Sequence, residues 1–168
     1  MGMLKRLLGR GDRGTAPALY AQLVALARAP HWYEAGEVPD TIDGRFDMIA
    51  AVLAMMLLRL EADPAGVPAA TALAECFIDD MDGQLREIGI GDIVVGKHMG
   101  RMMGMLGGRL GAYREELERG ALAPALVRNL YRGHAPAGAA LAHVENQLMA
   151  LHARFAASPL ATILAGKL

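Results

Sequence analysis

The chain has 168 residues, enough for one ordinary domain with its own core. Its formal charge of -1 gives no domain-wide basic footprint for nucleic acid, and its one cysteine, Cys76, excludes an intramolecular disulfide and any multi-cysteine metal site. Hydrophobic residues make up 54% but aromatics only 5%, so the apolar content is Ala, Leu, Val and Met, a mixture that favours helix over sheet.

Residues 1–14 read as a flexible basic tail with Lys5, Arg6, Arg10 and Arg13, broken by Gly9, Gly11 and Gly14. It carries no secretory cleavage pattern. Residues 15–168 read as one helical domain. Thr15 is placed to cap a first helix over 15–29, with Pro17 in its opening turn and Leu19, Leu23 and Leu26 on one face. Pro30 ends it, His31–Tyr33 form a short aromatic turn, and a loop follows to Asp43.

The second helix is predicted over 44–62, capped by Thr41 or Asp43. Between Asp47 and Arg59 it is apolar on every side, the mark of a central buried helix. The run Met48–Leu58 stops at Arg59, short of the roughly 20 residues a bilayer crossing needs. Further helices are predicted over 69–88, 93–118, 122–132 and 138–156, with a last turn after Pro159. Gly89 and Gly120 are placed as stops, Asp92 as a cap, and Gly133 and Pro136 as a separator. The expected fold is all-α: a single-domain irregular or orthogonal bundle of about six to seven helices.

The helix over 69–88 separates its faces. Leu73, Phe77, Met81, Leu85 and Ile88 form the apolar stripe. Asp79, Asp82 and Arg86 lie opposite, with Asp82 and Arg86 as an i,i+4 ion pair, while Asp80 and Glu87 lie on a flank near Cys76. Three readings fit: a solvated face, a docking surface for a basic partner segment, or a carboxylate metal site built from Asp79, Asp80, Asp82 and Glu87. The last lacks ligand logic. The run Asp80–Gly83 is not the calcium loop, and no Glu-x-x-His pair is present for a di-iron centre.

The next helix is unusual. Gly96, Gly100, Gly104, Gly107 and Gly111 fall in about an 80° arc at 100° per residue. At roughly 1 kcal/mol each, five such glycines cost a helix about 5 kcal/mol, which tertiary packing must offset. The packing reading is that the strip lets a neighbouring helix approach closely. The functional reading is a groove for a client helix, because Val95, Met99, Met102, Met103, Leu106, Leu110, Tyr113 and Leu117 lie beside the strip and flexible Met side chains accept varied apolar partners. Lys97 and Arg101 lie beyond the strip and Arg109 across the apolar face.

No nucleophile elbow, phosphate loop or dinucleotide fingerprint appears, so no catalytic residue and no cofactor are assigned. The histidines, His31, His98, His134, His143 and His152, read as surface or boundary residues, and His143 and His152 point to opposite faces of one helix. Cys76 reads as a small core filler.

Taken together, IDDMDGQLREIGIGDIVVGKHM (78–99), the stretch 19–49 and GGRLGAYREEL (107–117) resemble the ubiquinol–cytochrome c chaperone family, over roughly residues 15–130. The resemblance implies a non-enzymatic binding protein. Mitochondrial members bind newly made cytochrome b near the ribosomal exit site, with a small partner protein, during assembly of respiratory complex III. Bacterial members share the motif, and this chain has their layout. The implied partner is cytochrome b or another apolar client. The expected partner-binding residues are Asp79, Asp80, Asp82, Arg86, Glu87, Asp92, Lys97, Met99, Gly100, Met103, Gly104, Arg109 and Tyr113. The expected location is cytoplasmic, with peripheral contact at the inner face of the membrane through Lys5, Arg6 and Arg10. A general interaction module with another client and an acidic metal-binding enzyme are the rival readings.

Overall fold

The computed structural model describes residues 13–87 and 92–168, with the side chains at 85, 92–99, 101 and 102 also left undescribed. Among the described residues the helices are α1 (Ala16–Ala27), α2 (Pro30–Glu34), α3 (Ile42–Glu61), α4 (Val67–Glu87), α5 (Asp92–Glu118), α6 (Ala123–Asn129), α7 (Gly138–Ala157) and α8 (Leu160–Leu164), with a 3-10 turn at Pro64–Gly66 and no strand. The all-α bundle is as expected. Helix ends differ by one to three residues, and Pro30 opens α2 rather than closing α1.

The α3 helix is the axle. Every residue from Met48 to Leu57 is buried, because α1, α4, α5 and α7 all pack around it. A helix apolar on all sides needs such neighbours, and it spans no membrane: none of the described helices is long and apolar enough to do so. Thr41 is its cap, its hydroxyl accepting the Gly44 N–H at 3.1 Å. Gly44 is required there, since a Cβ would overlap the Pro39 carbonyl oxygen.

Distant side chains close several other helix ends. The Trp32 indole and Tyr33 hydroxyl donate to the Leu26 and Ala27 carbonyls at 2.8 and 2.9 Å, so the aromatic turn seals the end of α1. Glu145 on α7 accepts the Leu122 and Ala123 N–H groups at 2.6 and 3.0 Å, which caps α6 and places a carboxylate at its positive end. Arg59 donates to the Phe155 and Ser158 carbonyls at the end of α7.

Thr15 departs from expectation. It makes no side-chain cap; its hydroxyl donates to the Leu164 carbonyl at 2.6 Å and ties α8 to the start of α1. The tail boundary also shifts. Arg13 is half-buried and pairs with Glu75 and Asp79, so it belongs to the domain body. The flexible-tail expectation for residues 1–12 lies outside the described residues, as does the Gly89 stop.

Candidate functional site

The α5 helix presents two faces. Leu106, Arg109, Tyr113 and Glu116 recur at helical spacing and are buried, with Leu110 and Leu117 partly so. The opposite strip carries Gly100, Gly104, Gly107, Gly108 and Gly111. The expected close approach of another helix does not occur there. A Cβ built on any of these five glycines meets nothing within 4 Å among the described residues. Met103 and Met105 stand beside them, 52% and 36% exposed. Three and seven residues past Gly111, Arg114 and Glu118 continue the line into a hollow of about 520 Å³ that includes Leu58, Leu117 and His152.

An ion cluster mounts the buried face on α3. Arg109 donates to Asp47 at 2.7 Å and lies over the Phe46 ring, 5.1 Å from its centroid. Arg132 reaches the other Asp47 oxygen at 2.7 Å and Asp43 at 2.9 Å. Burial pushes the Asp47 carboxyl above the ordinary carboxylate range, against the pull of both guanidiniums. Sequence reasoning assigned no role to Asp47 or Arg132. The available signal was a lone acid opening an otherwise apolar helix, which a buried cation must answer.

The expected site residues divide accordingly. Gly100, Met103 and Gly104 share the open strip. Tyr113 and Arg109 do not join them. Tyr113 is 1% exposed, with burial pushing its phenol up, and Arg109 is committed to Asp47, so neither can touch an external partner directly. The side chains of Asp92, Lys97 and Met99 lie outside the described residues.

On α4, Leu73, Phe77 and Met81 are buried as expected, while the acidic face is partly consumed inside the domain. Asp79 pairs with Arg13 at 2.7 Å. Asp80 accepts the Tyr20 hydroxyl at 2.7 Å; burial first, and this bond second, drive that phenol up. Asp82 holds Arg86 at 3.1 Å, the i,i+4 pair expected, and Glu87 is exposed. These acids thus point at different partners. Among the described residues no three His, Cys, Asp or Glu side chains gather as a metal site. Cys76 is buried, with its thiol pushed up by burial, and fills core as expected. His31 and His143 are boundary residues as expected, but the sequence gives no sign that, 112 positions apart, they meet at 3.0 Å.

Asp47, Asp79 and Asp80 are thus held by partners inside the domain, while Met103 and Met105 stand on the outward side of α5. The chain belongs to the ubiquinol–cytochrome c chaperone family, whose model matches residues 34–168. It is similar to the crystal structure of the Cbp3 homolog from Brucella abortus, at 30% identity and a TM-score of 0.81, over 98% of this chain and 92% of that one. Comparison with curated protein sequences gives no match. The family assignment makes this chain a chaperone for assembly of the ubiquinol–cytochrome c complex, respiratory complex III.

Proposed function

We propose that the chain acts by shielding an apolar helix of newly made cytochrome b on the outer face of α5. The single observation behind this reading is the open strip: glycines with no neighbour above them among the described residues, flanked by Met103 and Met105. Glycine in a helix interior costs roughly 1 kcal/mol against alanine, and no contact among the described residues offsets it. A visiting helix would offset it, because backbone without Cβ atoms allows close approach and flexible thioethers mould to the visitor. Asp82, Arg86 and Glu87 would form a polar rim. Lys5, Arg6 and Arg10 would hold the protein near anionic lipid, each worth about 1 kcal/mol. The chain would then act without catalysis, as a binding surface.

The test is recovery of cytochrome b with the tagged chain from solubilised membranes, comparing wild type with Met103→Glu and Gly104→Leu. Both substitutions point into solvent, so folding should persist by circular dichroism while recovery drops at least tenfold. Unchanged recovery with folded variants overturns the face. Normal cytochrome b and complex III levels after deletion of the gene would assign the face to a different client.

A further inference from the structure

The His31–His143 contact joins α2 to α7 and has no part in the client face. The Nδ1 of His31 lies 3.0 Å from the Nε2 of His143, with ring centroids 5.2 Å apart and planes at 78°. Both rings sit at the boundary between core and solvent. His31 is held from behind by Trp32, whose ring centroid is 4.2 Å away and whose indole is anchored on Leu26. The loop after α2 is also fixed to the segment between α6 and α7. Tyr131 donates to the Gly36 carbonyl, and Glu37 accepts the Ala137 N–H at 3.1 Å. The two imidazoles are therefore brought together by a rigid frame rather than by flexible loops.

We propose that this pair is a two-imidazole site for a divalent transition-metal ion of the copper(II) or nickel(II) class. Imidazole nitrogen suits these ions, and their square-planar geometry wants two ligands at a right angle. With metal–nitrogen bonds of about 2.0 Å, two nitrogens 3.0 Å apart subtend an angle of about 97°, close to that value. A tetrahedral zinc ion would need the nitrogens about 3.3 Å apart, so the spacing favours the planar ions. At present one ring donates its N–H along the nitrogen–nitrogen line to the lone pair of the other. Each ring nitrogen must swing roughly 40° off that line to converge on a metal at that bond length, a turn that boundary side chains can make. The shared proton then moves, through solvent, to the outer nitrogen of the ring that held it, so the neutral pair binds the ion with no net proton release. Water fills the remaining positions, since among the described residues no third ligand of the His, Cys, Asp or Glu kind gathers there. A bound ion would staple α2 to α7. Acid would compete with it, because each nitrogen must be unprotonated to bind.

The experiment uses the full chain, stripped with chelator, titrated with copper(II) chloride at neutral pH and followed by thermal unfolding and electron paramagnetic resonance. The expected result is one tightly held ion per chain, a raised Tm, and nitrogen hyperfine structure from two imidazoles. His31→Ala and His143→Ala should each lose the Tm rise and the two-nitrogen signal, while His152→Ala and His134→Ala keep both. His143→Gln serves where alanine unfolds the chain, because it retains a polar contact yet ligates poorly. Equal copper binding in folded His31→Ala and His143→Gln proteins, or a signal without paired nitrogens, means an adventitious ion only and overturns the site.

Discussion

The α3 and α5 helices are both rich in methionine and both carry glycine, yet they use these residues in opposite ways. On α3, Met48, Met55 and Met56 are fully buried, and Gly44 lies so tightly under Pro39 that no side chain fits. On α5, Met103 and Met105 face outward, and Gly100, Gly104, Gly107, Gly108 and Gly111 have nothing above them among the described residues. Thioether and glycine report nothing by themselves; the neighbours decide. In α3 methionine fills irregular space in a closed core. In α5 the same residues stand at the surface, where the proposed client helix would cover them.

The two helices meet at Asp47, and the largest effects are expected there. Asp47→Ala leaves Arg109 and Arg132 without their shared carboxylate, and breaking a buried pair in this way costs about 3–5 kcal/mol. Urea unfolding measures it. A loss under about 1 kcal/mol would mean that water already screens the cluster and that α5 is not mounted through it. Next come the glycines and methionines themselves. Gly44→Ala should destabilise by about 3 kcal/mol, the upper range of overpacking, because its Cβ meets backbone that cannot swing away. Met56→Ala should cost about 2–5 kcal/mol through the cavity it leaves, whereas Met103→Ala should stay within about 0.5 kcal/mol of wild type. Equal losses at Met56 and Met103 would erase the contrast between the helices.

Much of α3 was legible in the sequence, because an uninterrupted apolar run between Asp47 and Arg59 can only sit at the centre of a bundle. The apolar stripe of α4 and the Asp82–Arg86 pair were legible for the same reason: they depend on residues three or four apart. What could not be read was pairing across the fold. Periodicity put Tyr113 and Met103 on one apolar face, although neighbours that lie far off in sequence seal the first and leave the second open. It put Asp79 on the outer face and Asp80 on a flank near Cys76, but it could not show that Arg13 and Tyr20, on a separate segment, bind them. The glycine strip was visible, but its direction depended on where α3 lay. The His31–His143 contact spans 112 positions and has no local signature.

A smaller effect tests the open strip without any client. Gly104→Ala should stabilise the chain by up to about 1 kcal/mol, since it gains helix propensity and its Cβ meets nothing within 4 Å. At a buried glycine the sign would reverse, as at Gly44. If the strip receives the client, cytochrome b recovery with Gly104→Ala should fall even as Tm rises. A rise in Tm with full recovery would show that the strip tolerates Cβ atoms and that the client docks elsewhere.

The smallest effect concerns pH. Burial first, and His143 second, push the His31 imidazole below its ordinary value, and burial does the same to His152 beside the hollow at the end of α5. An unfolded histidine titrates near 6.5. Below that pH the unfolded chain binds more protons than the folded one, so stability falls as acid is added and levels off once the folded-state pKa values are passed. In chelator-containing buffer, Tm should therefore decline from about pH 6.5 downward. His31→Asn should remove one part of that slope and His152→Asn another. The two parts report on different places in the fold. The His31 part belongs to the clasp between α2 and α7 and should be indifferent to a client. The His152 part belongs to the hollow where the α5 strip ends, so a bound client helix reaching that far would deepen its burial and steepen its share of the slope. A client that changes neither share would have to bind short of Arg114.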